Sequence, residues 1–253
     1  MSGMLVSIVM PCYNSEKFIA ESIMSVLAQT YECFELIIID NMSSDSSVSI
    51  IETLAKIDFR IKLLKCKKKG AAEARNYGIK NSRGRFLAFL DSDDLWDKDK
   101  LSKHVSYMMG SGSRLTCSSY RLISEDGVCL DEFNVPESKL SREDLLRTCS
   151  VGCLTVVVDF GGVDSFMRPL MPIIAKEDYA YWFVLLDYFG ERFSVIPHVL
   201  ASYRVHKNGV SSKKYIEIAR QWNVYRGFLG LRFARSLKYI LCYIVNGIKK
   251  TYL

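Results

Sequence analysis

Hydrophobic and polar positions alternate between two periods along the first ninety residues. "LVSIVM" (5–10) is an apolar run closed by Pro11 and the polar turn "CYNSE". Phe18, Ile19, Ile23, Val26 and Leu27 then recur at helical spacing, with Ser15 and Glu16 as the expected helix start. "FELIIID" (34–40) is apolar without alternation, as expected of a strand covered on both faces. "NMSSDSS" reads as a turn capping the next helix, whose Ile50, Ile51, Leu54 and Ile57 share one face. "IKLLKC" (61–66) predicts a third strand. "AAEARNYGIKNS" predicts a helix ending near Gly84, and "RFLAFLD" (85–91) a fourth strand.

This β-α-β-α-β-α-β order predicts an α/β fold built on a doubly wound, mostly parallel sheet with helices on both faces. In such sheets ligands bind outside the carboxyl ends of the strands. Three polar clusters fall there: Pro11–Asn14, Asp40–Asp45 and Asp91–Asp94. The pattern therefore predicts one shared crevice.

The second half is less regular. "SRLTCSSYRLISEDGVCLDE" predicts a hairpin turning at Glu125–Gly127, and "SREDLLRTC" (141–149) a capped helix. "CLTVVVDF" (153–160) and "FSVIPHVLASYRVH" (193–206) read as strands, with the helix "AKEDYAYWFVLLDYFG" (175–190) between them. From Tyr215 onward, Trp222, Tyr225, Leu229, Phe233, Leu237, Leu241, Ile244 and Ile248 recur every three or four positions. That spacing predicts an amphipathic helical tail. We divide the chain at 1–105, 106–212 and 213–253.

Charge sharpens the picture of the tail. The net charge is +6, yet residues 213–253 hold nine Lys/Arg against one acid, Glu217. The other 212 residues keep 25 of the 34 bases and 27 of the 28 acids, so the basicity belongs to the tail. It predicts contact with an anionic surface. No apolar run is long enough to cross a bilayer, and the opening residues read as a strand rather than a signal peptide. The eight cysteines form no CxxC pair and are expected to be reduced thiols. No Gly-rich phosphate loop occurs, and an acid-lined crevice repels nucleic acid.

The acids carry the chemistry. Asp91, Asp93, Asp94 and Asp97 lie within seven residues after a strand, where their mutual repulsion calls for a compensating cation. A divalent ion that also grips phosphates is one answer; a helix cap with solvated acids is the other. Asp40 could accept bonds from a base or ribose, or close an Asx turn. Arg75 could approach the same crevice, or form a surface ion pair. His104 and His198 read as structural. Trp182, one turn after Asp178, could stack on a sugar or fill the core.

"VSIVMPCYNSEKFIAESIMSVLAQTYECFELIIIDNMSSDSS", "GAAEARNYGI" and "FLAFLDSDDLW" together resemble the nucleotide-sugar half of family 2 glycosyltransferases of the GT-A fold. "KEDYAYWFVLL" is similar to that family's ED motif and "YRVHKNGVSS" to its closing YRxH segment. The resemblance spans about residues 5–212, and the compact length with a basic tail is similar to the bacterial surface-polysaccharide type. It implies that Pro11, Tyr13, Asn14, Asp40, Arg75, Asp91 and Ser92 bind the nucleotide. Asp93, and His206 with it, would hold Mg²⁺ or Mn²⁺, and Asp178 would be the catalytic base. Glu177 and Trp182 would face the acceptor. The implied activity is inverting, metal-dependent transfer of a sugar from a nucleotide-diphosphate donor, UDP-linked by expectation, to a lipid-diphosphate-linked saccharide in O-antigen or capsule assembly. The expected location is the cytoplasmic face of the membrane, with no nucleic-acid partner. A sugar nucleotidyltransferase and a non-catalytic saccharide- or membrane-binding protein on the same fold are the alternatives.

Overall fold

The computed structural model describes residues 4–135, 139–206 and 214–252. Four parallel strands occupy one side of the sheet in the order β3-β2-β1-β4. They are β1 (Val6–Cys12), β2 (Phe34–Asp40), β3 (Ile61–Lys65) and β4 (Phe86–Phe89). Every residue of β2 is buried, as its unbroken apolar run predicts. Alternation along β1 divides the core. Val6, Ile8 and Met10 pack with Ile19, Ile23 and Val26 of α1 (Ile19–Leu27), Ile51 of α2 (Ser47–Ile57), and Leu101 and Val105 of α4 (Lys100–Ser111). Val9 points to the other face, with Ala74 and Ile79 of α3 (Ala71–Asn81) and the aromatic side of α6 (Glu177–Phe189). Helices therefore cover both faces. α3 lies so close to the sheet that a Cβ on Gly78 would sit 2.5 Å from Val9 Cγ1 and 2.8 Å from Ile39 Cδ1. That close approach sets the depth of Arg75, one turn earlier on the same helix.

Beyond β4 the sheet is mixed. β8 (Val157–Asp159) runs antiparallel to both β4 and β6 (Leu115–Ile123), while β6 runs parallel to β9 (Ser194–Arg204). The two-residue β5 (Leu95–Trp96) closes on β9, so the chain just after the acidic cluster is clamped by a strand from the second half. The expected hairpin is β6 with β7 (Cys129–Phe133), turning through Gly127 at φ 80. The capped helix is α5 (Arg142–Arg147), where Ser141 and Asp144 form a reciprocal capping box.

Local expectations are refined. The regular helix runs from Ile19, and Ser15 opens the turn that leads into it: its carbonyl accepts the Phe18 and Ile19 N–H groups, while its hydroxyl, rather than capping the helix, meets Ser92 at 2.7 Å. Glu16 reaches instead to the second loop, accepting the Ser46 N–H at 2.8 Å where α2 starts. The run 153–160 opens as a 3₁₀ turn, Cys153–Thr155, before β8.

The tail folds as α7 (Lys214–Asn223), a π turn over Val224–Phe228, and α8 (Phe233–Tyr252). Tyr225, Tyr239 and Ile240 are buried against the second half of the core. Among the described residues no helix is long and apolar enough to cross a membrane. The cysteines are thiols rather than disulfides.

A buried basic pair lies under β5. Lys100 is fully buried; its Nζ donates to the Thr155 carbonyl at 2.9 Å and lies 3.3 Å from His104 Nε2. His104 Nδ1 meets Thr116 Oγ1 at 2.9 Å, which fits its structural reading. Burial pushes the Lys100 pKa down to about 7, and burial with Lys100 beside it holds His104 well below the ordinary histidine value. The unfolded chain therefore binds a proton at Lys100 that the native state lacks between about pH 7 and the ordinary lysine value near 10.4. Stability gained from this site rises with pH across that window, by up to about 1.4 kcal/mol per pH unit. Denaturant unfolding of Lys100→Met at a series of pH values should show this slope missing relative to wild type. Parallel curves for the two proteins would contradict it.

Candidate functional site

The loops after β1, β2 and β4 meet at the carboxyl edge of the parallel strands. Asn14 holds a left-handed backbone at φ 47, a conformation Asn tolerates better than most residues. Its Oδ1 accepts the Ser44 N–H at 2.8 Å, and its own N–H donates to Ser43 Oγ at 3.0 Å. Glu16 N–H reaches Asp45 Oδ2 at 3.0 Å. These bonds lock the first and second loops together. Ser15 and Ser92 join the first loop to the acidic cluster. Pro11 is the penultimate residue of β1, opposite Ile39, and the Tyr13 ring beyond the strand is half exposed. Asp40 is 5% exposed and its Oδ1 accepts the Ser43 N–H at 3.1 Å, so the turn-forming role weighed for it is present.

Arg75 is not a surface ion pair. It is 5% exposed and bridges two carboxylates, donating Nη2 to Asp91 and Nη1 to Glu177. Burial opposes its charge, but Asp91, Glu177 and Asp178 around it outweigh that and hold it protonated. Arg75 thus ties the end of β4 to the first turn of α6. Asp178 lies beside Glu177 in that turn. Burial first, then the Glu177 charge, push its pKa up, and Arg75 partly offsets them. A carboxylate kept above its usual range, facing a cavity, suits a general base.

The acidic cluster splits by partner. His206 Nε2 lies 2.8 Å from Asp93 Oδ2, while His206 Nδ1 stands 3.6 Å from Glu125 Oε1. Asp94 is nearly fully buried and accepts the Arg204 backbone N–H at 2.8 Å. Burial and the charge of Asp91 raise the Asp93 pKa, with His206 opposing. Burial together with Asp93 and Asp91 raises Asp94 further. The cluster is thus short of positive charge. Among the described residues no three His, Cys, Asp or Glu side chains form a ready-made metal cage. Asp93 and His206 still fit a divalent ion of the kind that takes its remaining oxygens from phosphate and water.

Arg204 was missed in the sequence, although it stands in the quoted "YRVH" segment. It is 2% exposed. Its Nε donates to the Asp93 carbonyl at 2.8 Å, Nη1 to the Glu125 carbonyl at 2.8 Å, and Nη2 to Glu21 Oε2 at 2.6 Å. One guanidinium therefore fixes the acidic loop, the β6–β7 turn and α1 together. Residues 207–212 of that segment lie outside the described residues, as do the side chains of Ile248, Lys249 and Lys250.

Trp182 lies in the core rather than at the site. It is fully buried, its Nε1 donates to the Val151 carbonyl at 3.1 Å, and its ring meets Phe193 edge-on at 5.8 Å. It shares a helical face with Asp178, but by the second turn of α6 that face has entered the core.

A cavity of about 840 Å³ joins these parts. Arg75, Asp91 and Asp178 line it, as do Tyr203 from β9 and Glu217 and Arg220 from the tail. Asp178 is reached from this cavity, and Asp91 links it to the Asp93–His206 pair.

Comparison with known proteins gives the family. Residues 7–129 match the family model described as glycosyl transferase family 2. An Escherichia coli protein named UDP-Glc:alpha-D-GlcNAc-diphosphoundecaprenol beta-1,3-glucosyltransferase WfgD is 40% identical over 99% of this chain and 96% of its own. The putative teichuronic acid biosynthesis glycosyltransferase TuaG of Bacillus subtilis is 36% identical over 97% of both. In fold, the chain is similar to S. aureus TarS solved with UDP-GlcNAc, at a TM-score of 0.72 and 22% identity over 94% of this chain and 70% of that one. It is also similar to a Pyrobaculum calidifontis mannosyltransferase solved with GDP-Man and Mn2+, at 0.67 and 16% over 94% and 68%. With relatives matched over nearly its whole length and the GT-A architecture in place, the chain belongs to the family 2 glycosyltransferases and is an enzyme of that class.

Proposed function

We propose that this enzyme transfers a sugar, with inversion, from a UDP-sugar to a saccharide carried on a lipid diphosphate, in the assembly of a bacterial surface polysaccharide. The observation that carries the reading is that Asp178, a carboxylate kept basic by burial, lines one cavity with Arg75 and Asp91. Two E. coli relatives, 40% and 36% identical, are named as glucosyltransferases acting on GlcNAc-diphosphoundecaprenol, which supports the acceptor class.

In this reading Tyr13, Asn14, Asp40 and Ser92 surround the nucleoside, with Pro11 shaping the end of β1. Arg75 holds Asp91 and Glu177 in place beside the sugar. Asp93 and His206 would hold Mg²⁺ or Mn²⁺, which when bound supplies charge neutralisation at the leaving diphosphate. The acceptor hydroxyl gives its proton to Asp178 as its oxygen bonds to the anomeric carbon. The bond from that carbon to the phosphate oxygen breaks, and UDP departs with the electron pair. A single displacement from the opposite face inverts the centre and needs only this one base.

The tail supports a place at the membrane surface. Phe233, Leu237, Leu241 and Val245 are exposed and recur every four residues, while Tyr239 and Ile240 on the other side of α8 are buried. Arg235 and Lys238 stand on the same helix, each also within reach of Glu143, and Arg226 and Arg232 precede it in the chain. An apolar stripe on a basic segment suits an anionic lipid surface, at ~1 kcal/mol per basic residue near it.

The test is transfer itself. Purified enzyme with Mn²⁺ is given UDP-glucose, UDP-GlcNAc or UDP-galactose and a GlcNAc-diphospho-decyl acceptor. Acceptor-dependent UDP release with a new disaccharide bond of inverted configuration is expected from at least one donor. Release of UDP at the same rate with and without acceptor would contradict the reading.

A further inference from the structure

The cavity has two chemically different ends. Its inner end is acidic, with Asp91, Glu177 and Asp178 gathered about Arg75. Its outer end is built by α7, α8 and the residue before α6. Lys176 there adopts a left-handed backbone at φ 61, a costly conformation for a residue with a long side chain. Its ammonium meets residues of the tail. Its Nζ donates to Gln221 Oε1 at 2.8 Å and to Tyr243 Oη at 3.1 Å, and lies 3.4 Å from Glu217 Oε2. The second oxygen of Glu217 accepts from Arg220 Nη1 at 2.7 Å. Two cations thus share one carboxylate, and all three side chains line the cavity. Lys176 is 12% exposed and Glu217 17%, whereas Arg220 is 32% exposed and has one charged partner among the described contacts. The group carries a net positive charge in a partly desolvated wall of the cavity that Asp178 also lines, and Lys176 is two residues from that base. Ile218 and Ile244 line the same wall.

We propose that Lys176 and Arg220 form the subsite for the diphosphate of the acceptor, and that the tail is thereby part of the acceptor site as well as a surface element. The inference rests on the function proposed above and names the residues that make it selective for phosphorylated acceptors. The acceptor sugar lies at the acidic inner end with its hydroxyl at Asp178. Its diphosphate lies at the cationic outer end, where phosphate oxygens take the place of the Glu217 carboxylate on the Arg220 fork. The lipid leaves past Ile218 and Ile244 toward the exposed stripe of α8. Glu217 is then a competing anion: it keeps two cations apart and poised when the site is empty, and weakens phosphate when the site is filled. A role in holding the tail to the core would make removal of either partner harmful. A phosphate subsite makes the two removals opposite in sign.

The experiment measures transfer from a UDP-sugar to GlcNAc-diphospho-decyl and to decyl α-GlcNAc, which lacks phosphate. Arg220→Gln should raise KM for the diphosphate acceptor about tenfold or more, the scale of one charge-assisted bond. Glu217→Gln should lower it. Arg220→Lys, which keeps charge without the fork, should fall between wild type and Arg220→Gln. None should alter KM for the UDP-sugar or for decyl α-GlcNAc. An unchanged diphosphate-acceptor KM in Arg220→Gln, or damage of the same sign from both Gln variants, overturns the inference while leaving the transfer reaction intact. Equal KM for the two acceptors in wild type overturns it as well. Absence of transfer by a wild-type enzyme that still binds UDP overturns the proposed function, and the inference with it.

Discussion

Asp178→Asn should bind the donor nearly as wild type does and transfer about 10²–10⁴ times more slowly. The substitution is nearly isosteric and keeps an oxygen to accept the Tyr179 N–H, which now reaches Asp178 Oδ1 at 2.7 Å. It removes only the ability to take a proton. The wild-type rate should also carry an acid limb. Asp178 must be ionised to act, and burial and Glu177 place its pKa above the ordinary carboxylate range. Activity is therefore full well above that raised value and is lost as pH falls through it. In Asp178→Asn the residual rate should lack that limb. Calorimetric UDP binding with steady-state rates across pH checks both parts. Full activity in the variant would remove Asp178 from its role.

Asp93→Ala should abolish the gain in UDP affinity that Mn²⁺ gives the wild-type enzyme. Asp93 is the acid of its cluster that faces His206, whereas Asp94 is committed to the Arg204 backbone and Asp91 to Arg75. Removing Asp93 leaves His206 as the one expected ligand and takes away the carboxylate that most offsets a divalent charge. Asp94→Asn offers the contrast: its Oδ1 contact can persist, and metal dependence should remain. Equal Mn²⁺ dependence in wild type and Asp93→Ala would refute the metal assignment.

How far these residues could be read in advance depended on what each signal measured. The parallel strands were legible because they are buried on both faces, and an unbroken run such as Phe34–Asp40 has few other uses. β5 was not, because two residues carry no period and its pairing with β9 spans a hundred positions. Arg204 went unnoticed because a fully buried arginine has no local pattern; only its long-range partners, Glu21, Asp93 and Glu125, give it meaning. Trp182 was left open between sugar and core for a related reason. Spacing puts it on the face of Asp178, but spacing cannot say where along α6 that face passes from cavity to core. The tail's amphipathic period was visible. Its second use, delivering Glu217 and Arg220 to the cavity beside the base, needed the packing of α7 against Lys176.

The central claim is that the acid-lined crevice is a metal-assisted site for a UDP-sugar. Titrating the folded wild-type protein with UDP by calorimetry, with and without Mn²⁺, tests it most directly. The account predicts clear binding that strengthens when Mn²⁺ is present. Absence of UDP binding under both conditions by the folded protein would contradict it and return Asp91, Asp93 and Asp94 to the stabilisation of their own loop.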